Sequence, residues 1–345
     1  MAQHSYDSAV GVLDGAAAAP PPEALLFQII APFVTPRAAF MATDLRIPDL
    51  VADGPRTVAD LARETNVAAD SLYRVLRLLA SNGMFTEVAV GVFGKTPLSE
   101  TFRTFRALHQ AVLQLPRAVA TGRTGVELAT GMRLFERLDR HPDEGALFNR
   151  LLAFLTGGEC DAVVAATDWT GATTVVDVGG GTGTLLGAIL ARNPWLSGVL
   201  LERPQVVEEA RAAIVAQGLG ERCAVVEGDF FAAVPAGADV FILSHIVHDW
   251  DEHSALRILR NVRAAMKPGA RLLVLETVMA QGGGPDPSKL ADIVMLLFSG
   301  GRERTEDEYG DLLARAGLRL DRVVPLPPTP WGTALIEASA DGDPA

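Results

Sequence analysis

Cysteine is almost missing from this chain. Cys160 and Cys223 are the only two in 345 residues, and they form no C-x-x-C pair. A disulfide framework and a cysteine-based metal site are therefore not expected, and the usage fits a reducing cytoplasm. Positive charge is in short supply as well: 30 Lys and Arg face 42 Asp and Glu, for a net charge of −12. Nucleic-acid-binding chains normally carry the opposite balance, so nucleic acid is not expected as the main partner. Long apolar runs are also lacking near the N-terminus. The best of them, residues 24–34, is broken by Gln28 and Pro32 and reads as too short to span a bilayer. The opening Met-Ala-Gln-His-Ser-Tyr-Asp has neither the basic region nor the apolar core of a signal peptide. The expectation is a soluble, cytoplasmic protein with no membrane partner.

What is present is an ordinary globular composition, 49% hydrophobic and 21% charged. The length suggests about two domains. Residues 1–21 end in alanines and prolines and read as a flexible arm. Residues 22–50 form a helical pattern that is apolar on nearly every face, which demands burial inside the chain or against a second copy. A homodimer through this region is the expectation. Thr57 with Asp60 caps a helix that ends before Asn66, a second helix covers 70–81, and 84–96 alternates as a hairpin around Gly91. Two helices and a β-wing make a winged-helix-like domain over 22–105, a shape that many proteins use to read DNA. Its basic Arg63, Arg74, Arg77 and Lys95 are outweighed by Asp60, Glu64, Asp70, Glu87 and Glu100, so it reads as a scaffold or dimerisation piece.

Residues 106–168 form a helical linker, within which the apolar 148–155 stretch is expected to roof a cleft. From 169 to 340 strands and helices alternate, with strands at 174–178, 198–202, 223–227, 239–244 and 271–277. This predicts an α/β domain: a Rossmann-like, doubly wound, mostly parallel sheet. Thr305 and Glu308 form a capping box for a further helix, and runs at 318–324 and 331–338 predict an antiparallel C-terminal hairpin.

The densest signal is Thr-Val-Val-Asp-Val-Gly-Gly-Gly-Thr-Gly-Thr over 174–184. A buried strand runs into a glycine turn, and Leu185, Leu186, Ile189 and Leu190 begin a helix, as in the first βα unit of a nucleotide-type fold. The dinucleotide fingerprint is incomplete, because Thr184 stands where its third glycine belongs. Gly94-Lys95-Thr96 is no phosphate loop either, since Ala89 occupies the position of the required earlier glycine. Asp177, just before the turn, would repel a pyrophosphate and suits a ligand bearing an ammonium group. Gly179, Gly181 and Gly183 with Asp177 therefore point to a cationic adenosyl ligand such as S-adenosylmethionine. Such ligands lie outside the carboxyl ends of the strands. At those ends Glu202 can accept both ribose hydroxyls and Asp229 can accept from the adenine amino group. The rings of Phe230 and Phe231 can pack on the adenine face.

His248 follows the fourth strand and is the candidate base, since imidazole titrates near neutrality and can take a proton from a phenol. Glu276 or Glu303 on its other nitrogen would fix the tautomer. His245 and His248 form a His-x-x-His pair, but no third ligand at a familiar spacing accompanies it, so no metal is expected.

Val-Asp-Val-Gly-Gly-Gly-Thr-Gly, Leu-Glu-Arg-Pro, Gly-Asp-Phe-Phe, His-Asp-Trp-Asp-Glu and Gly-Gly-Arg-Glu-Arg-Thr occur in that order. Together they resemble the motifs of the S-adenosylmethionine-dependent small-molecule O-methyltransferases: the plant caffeate and hydroxyindole type and its bacterial antibiotic- and polyketide-tailoring relatives. The resemblance covers about residues 22–338. It implies methylation of a phenolic hydroxyl on a small aromatic substrate and a dimerising N-terminal domain. It also implies His248 as general base, with Glu276 and Glu303 orienting it and Asp249 beside it. Cofactor contacts are implied at Gly179, Glu202, Asp229, Phe230 and Thr156. Family members usually have Asp at Glu202, often Met at Leu152, and many have a Lys at Ser244 that would contact the cofactor. Two rival readings are a family member doing non-methylating chemistry, such as hydroxylation or decarboxylation, and a ligand-sensing winged-helix regulator. The intact His248, Glu276 and Glu303 count against the first, and the acidic balance against the second.

Overall fold

The computed structural model describes residues 20–327 and 332–340. The expected N-terminal arm lies outside them except for its last two residues, and Trp331 lies outside them too. The chain separates into two compact units, one up to Arg106 and one from Ala107.

The first unit contains α1 (Pro22–Asp44), α2 (Ile47–Leu50), β1 (Arg56–Thr57), α3 (Val58–Thr65), α4 (Ala69–Ser81), β2 (Phe85–Ala89), β3 (Val92–Lys95) and α5 (Pro97–Thr104). The helical pattern expected over 22–50 is divided into two helices, because Arg46 takes a left-handed φ of 59° between them. A second expectation is also corrected. The apolar stretch runs through Pro32 and Pro36 as one 23-residue helix, so by length and composition alone it could cross a bilayer. Leu26, Phe27, Ile29, Ile30 and Phe33 are exposed along it. The Thr57 hydroxyl caps α3 by accepting from the Asp60 N–H, and Asn66 closes that helix with a left-handed φ of 55°. Leu61, Leu72, Leu76 and Leu79 face Phe85 and Phe93 in the core. The hairpin gains a short partner that periodicity could not show, since β1 completes a three-stranded sheet in the order β1-β3-β2.

Six helices lead into the second unit: α6 (Arg106–Val112), α7 (Leu115–Thr121), α8 (Gly125–Thr130), α9 (Leu134–Arg140), α10 (Pro142–Gly157) and α11 (Cys160–Ala166). The sheet then begins with β4 (Thr174–Val178), α12 (Thr184–Arg192), β5 (Ser197–Glu202), α13 (Pro204–Ala216), β6 (Cys223–Glu227) and β7 (Val240–Ser244). It continues through α14 (Glu252–Ala265), β8 (Arg271–Thr277), α15 (Ser288–Phe298), α16 (Glu306–Arg315), β9 (Leu318–Pro325) and β10 (Thr333–Ala340). The seven strands lie in the order β6-β5-β4-β7-β8-β10-β9. β4 to β8 pair in parallel, and the final hairpin adds antiparallel to β8.

Both faces of the sheet are covered, as a parallel sheet requires. Alternate residues of β4 serve them: Val176 and Val178 join one core with Leu243 and Ile258, while Val175 joins the other with Leu186 and Ile189. No helix links β6 to β7. Residues 228–239 cross as a loop instead, which leaves Asp229, Phe230 and Phe231 at the strand ends. The chain builds outward from β4 to β6 and then returns to β7 on the other side. The resulting switch point between β4 and β7 is where a crevice opens in such sheets.

Candidate active site

At that crevice lies a cavity of about 640 Å³, within the range of small-ligand sites. Its wall includes Gly179, Gly180 and Gly181 of the turn, Glu202, Asp229, Phe230, Ser244 and Asp249. Phe148, Asn149, Leu152 and Thr156 of α10 complete it from above. Gly179 and Gly181 have φ of 74° and 61°, which a side-chain-bearing residue adopts only under strain. A Cβ on Gly179 would lie 2.8 Å from Ile246 Cδ1 and 3.3 Å from Phe230 Cε1. Gly183 does not line the cavity. A Cβ there would meet Ile214 at 2.9 Å and Leu200 at 3.1 Å, so this glycine lets α12 pack on the sheet.

Asp177 is fully buried beneath the turn, and neither carboxylate oxygen has a hydrogen-bond partner among the described residues. Burial, with the neighbouring Glu202 charge adding to it, raises its pKa to about 7. An uncompensated buried carboxylate is costly, and a cationic ligand over the turn would relieve it. The Ser244 hydroxyl is likewise buried without a partner. Glu202 accepts from the Gly181 N–H at 3.0 Å and the Arg203 N–H at 2.7 Å. The longer side chain thus braces the glycine turn and still has lone pairs for ribose hydroxyls. These orphaned atoms and the open space beside Gly181, where an added Cβ would meet nothing within 4 Å, fit an adenosyl cation. Asp229 accepts from the Phe231 N–H at 2.8 Å, and the Phe230 ring lies edge-on to Phe231 and Trp250.

His248, Glu276 and Glu303 converge behind the wall rather than on it. His248 keeps 11% of its side-chain surface, while Glu276 and Glu303 keep 0% and 1%. Its Nδ1 lies 3.0 Å from Glu303 Oε1 and 3.1 Å from Glu276 Oε2. Glu276 Oε2 is not aligned as a hydrogen-bond acceptor, so Glu303 carries the bond and Glu276 contributes charge. Burial alone would lower the imidazole pKa. Glu276 and then Glu303 outweigh it and raise the value to about 10. The other oxygen of Glu276 accepts from the Ile246, Val247 and His248 N–H groups at 3.0, 2.7 and 3.3 Å. One glutamate therefore shapes the turn and charges its histidine. Asp249 reaches the cavity wall, and burial raises its carboxyl pKa.

Two groups escaped the sequence reading. Gly301 touches the turn after β7 so closely that a Cβ would fall 2.5 Å from the Trp250 nitrogen, and the Arg302 N–H donates to the His248 carbonyl at 2.9 Å. The Gly-Gly pair before Arg302 was the available signal. The other group is the buried Glu159, whose carboxylate lies 3.0 Å from Nε2 of His245, the cavity-lining member of the His-x-x-His pair. Nothing in spacing could link residues so far apart in the chain. Atoms of His245, His248 and Glu276 come within 4.8 Å of one another, close enough to share a cation. Both imidazoles already face carboxylates, so we keep the hydrogen-bonded reading.

The model of the O-methyltransferase domain matches residues 112–319, and that of the O-methyltransferase dimerisation domain matches residues 27–104. The chain belongs to the O-methyltransferase family. The phenazine O-methyltransferase PhzM of Lysobacter antibioticus is 39% identical over 335 residues, covering 93% of this chain and 97% of that protein. A solved O-methyltransferase from neocarzinostatin biosynthesis, NcsB1, superposes with a TM-score of 0.71 at 34% identity, covering 89% of this chain and 96% of that one. It was captured with S-adenosylmethionine and 2-hydroxy-5-methyl naphthoic acid. Relatives include the aclacinomycin 10-hydroxylase RdmB of Streptomyces purpurascens, 35% identical over 86% of this chain and 84% of that protein. Membership in the family therefore leaves room for other chemistry.

Proposed function

We propose that this methyltransferase moves the methyl group of S-adenosylmethionine to a phenolic hydroxyl of a small aromatic or polycyclic metabolite. The observation that carries this reading is the buried His248–Glu303–Glu276 cluster beside a cavity whose acid, Asp177, has no hydrogen-bond partner among the described residues. The cofactor, when bound, supplies an electrophilic sulfonium methyl. Asp177 and the turn at Gly179 and Gly181 would hold its charged end, with Ser244 and Thr156 nearby. Glu202 would hold the ribose, and Asp229 with Phe230 the adenine.

Glu303 accepts the Nδ1 hydrogen of His248, which leaves Nε2 as the nitrogen that meets the acceptor hydroxyl. A phenol has an unperturbed pKa near 10. His248, raised to about 10 by its carboxylates, can share that proton with little energetic cost in either direction. Phe148 and Leu152 give the roof an apolar lining, and a roof closed over bound ligands would favour a step in which opposite charges cancel.

Domain limits of 22–105, 106–168 and 169–340, a homodimer formed through α1, a cytoplasmic location, and the absence of nucleic-acid and membrane partners belong to the same proposal. The dimerisation-domain match and the exposed apolar face of α1 support the dimer. Incubation with methyl-labelled cofactor and a panel of polycyclic phenols tests the reaction: label on a phenolic oxygen is expected. The hydroxylase relative favours one rival, and a product that gains a hydroxyl and no label would establish it.

A further inference from the structure

Beside His248, at the same end of the sheet, sits a second histidine–carboxylate pair that the proposed methyl transfer does not use. His245 leaves β7 with a φ of 53°, a left-handed conformation that costs a non-glycine residue on the order of 1 kcal/mol. His245 is part of the cavity wall. Nε2 lies 3.0 Å from Glu159 Oε2, and the other oxygen of Glu159 accepts from the Thr333 hydroxyl at 2.6 Å. Glu159 and Thr333 are 6% and 3% exposed, so the carboxylate is fixed from both sides. A buried carboxylate and a strained backbone both oppose folding, and here they combine to hold one imidazole in one orientation.

The orientation sets the chemistry. Glu159 accepts the Nε2 hydrogen, which leaves Nδ1 as the nitrogen able to bond a ligand, and in the neutral ring that atom is an acceptor. The His245 and His248 ring centroids are 5.6 Å apart and tilted by 40°. Two oxygens on neighbouring carbons of an aromatic ring are close enough that each could lie within a hydrogen-bond distance, about 2.7–3.0 Å, of one of these imidazoles. We infer that His245 is a specificity-determining residue that receives a second hydroxyl, adjacent to the one methylated, and that Glu159 is its positioning residue. The preferred acceptors are then vicinal aromatic diols. The inference rests on the phenolic reading above.

The test measures binding to the protein loaded with S-adenosylhomocysteine, so no turnover is needed. The probes are 2,3-dihydroxynaphthalene and 2-naphthol. Wild-type protein should bind the diol about five- to tenfold more tightly, the worth of one net hydrogen bond. His245→Gly tolerates the left-handed backbone and should abolish that preference while leaving 2-naphthol affinity within about twofold. Free imidazole added to this variant should restore the preference, which a merely structural histidine would not allow. Glu159→Gln retains bulk and should lower the preference even if the glycine variant does not fold. Equal wild-type affinities, or equal weakening of both probes in the variants, would overturn the assignment of His245 alone. Failure of wild-type protein to bind either probe would overturn the phenolic reading with it.

Discussion

Asp177 is where the proposed cofactor and a proton would compete. Its carboxyl pKa is raised from about 4 to about 7 by burial, so near neutrality much of the free protein carries it protonated. A cation over the turn favours the carboxylate, and cofactor binding should therefore release a proton. Titration calorimetry at pH 7 in buffers of different ionisation enthalpy should detect that release in wild-type protein and not in Asp177→Asn. The same shift has a sign for stability. The native state holds a proton that the unfolded chain has already lost, so stability falls as pH rises from about 4 to about 7. Thermal melts of the unliganded asparagine variant should lack that component of the decline. His248 supplies a second test at this scale. Its two carboxylates raise its pKa, so the kcat/KM of wild-type protein should climb with pH on the alkaline side of neutrality. Glu303→Gln removes one charge and the hydrogen bond, which should move this limb to lower pH and reduce the maximal rate by about tenfold or more.

At the level of elements, the short turn after β7 positions His248. It is held by the Glu276 carboxylate from below and by the backbone around Gly301 from the side. Gly301→Ala should therefore lower kcat by about a hundredfold or more through displacement of His248, because misplacement of about 1 Å can cost that much. Cofactor affinity should change far less, and parallel measurement of kcat and cofactor Kd checks the split. The same elements show what could be read in advance. Residues 174–178, 223–227 and 271–277 were expected as strands with the limits β4, β6 and β8 have, because buried parallel strands read as short apolar runs closed by turn residues. The Thr57 cap and the capping box at Thr305 were equally visible, since both partners lie within one helical turn. The break at Arg46 was not, because a single left-handed residue leaves no mark on periodicity. Nor was β1, whose two residues pair only with a later strand. In the site, acids and glycines could be placed at strand ends one by one. The Glu159–His245 pair and the closeness of Gly301 to the turn required three dimensions. Gly183 was expected among the ligand glycines, and its packing against Ile214 became visible only once α13 was in position.

On the scale of the whole molecule, an acidic chain with a wing-bearing first unit becomes coherent if that unit joins two copies. Exposed Phe27, Ile29, Ile30 and Phe33 are a large apolar surface for a single chain. Replacing Phe27 and Ile29, 72% and 75% exposed, with serine should shift the protein from dimer to monomer in light scattering while the second unit keeps its cofactor affinity. One variant tests the chemistry most directly. His248→Ala should bind S-adenosylmethionine with nearly unchanged Kd, yet transfer labelled methyl to a phenolic acceptor about 100- to 10,000-fold more slowly than wild-type protein. Comparable turnover in that variant would contradict the account.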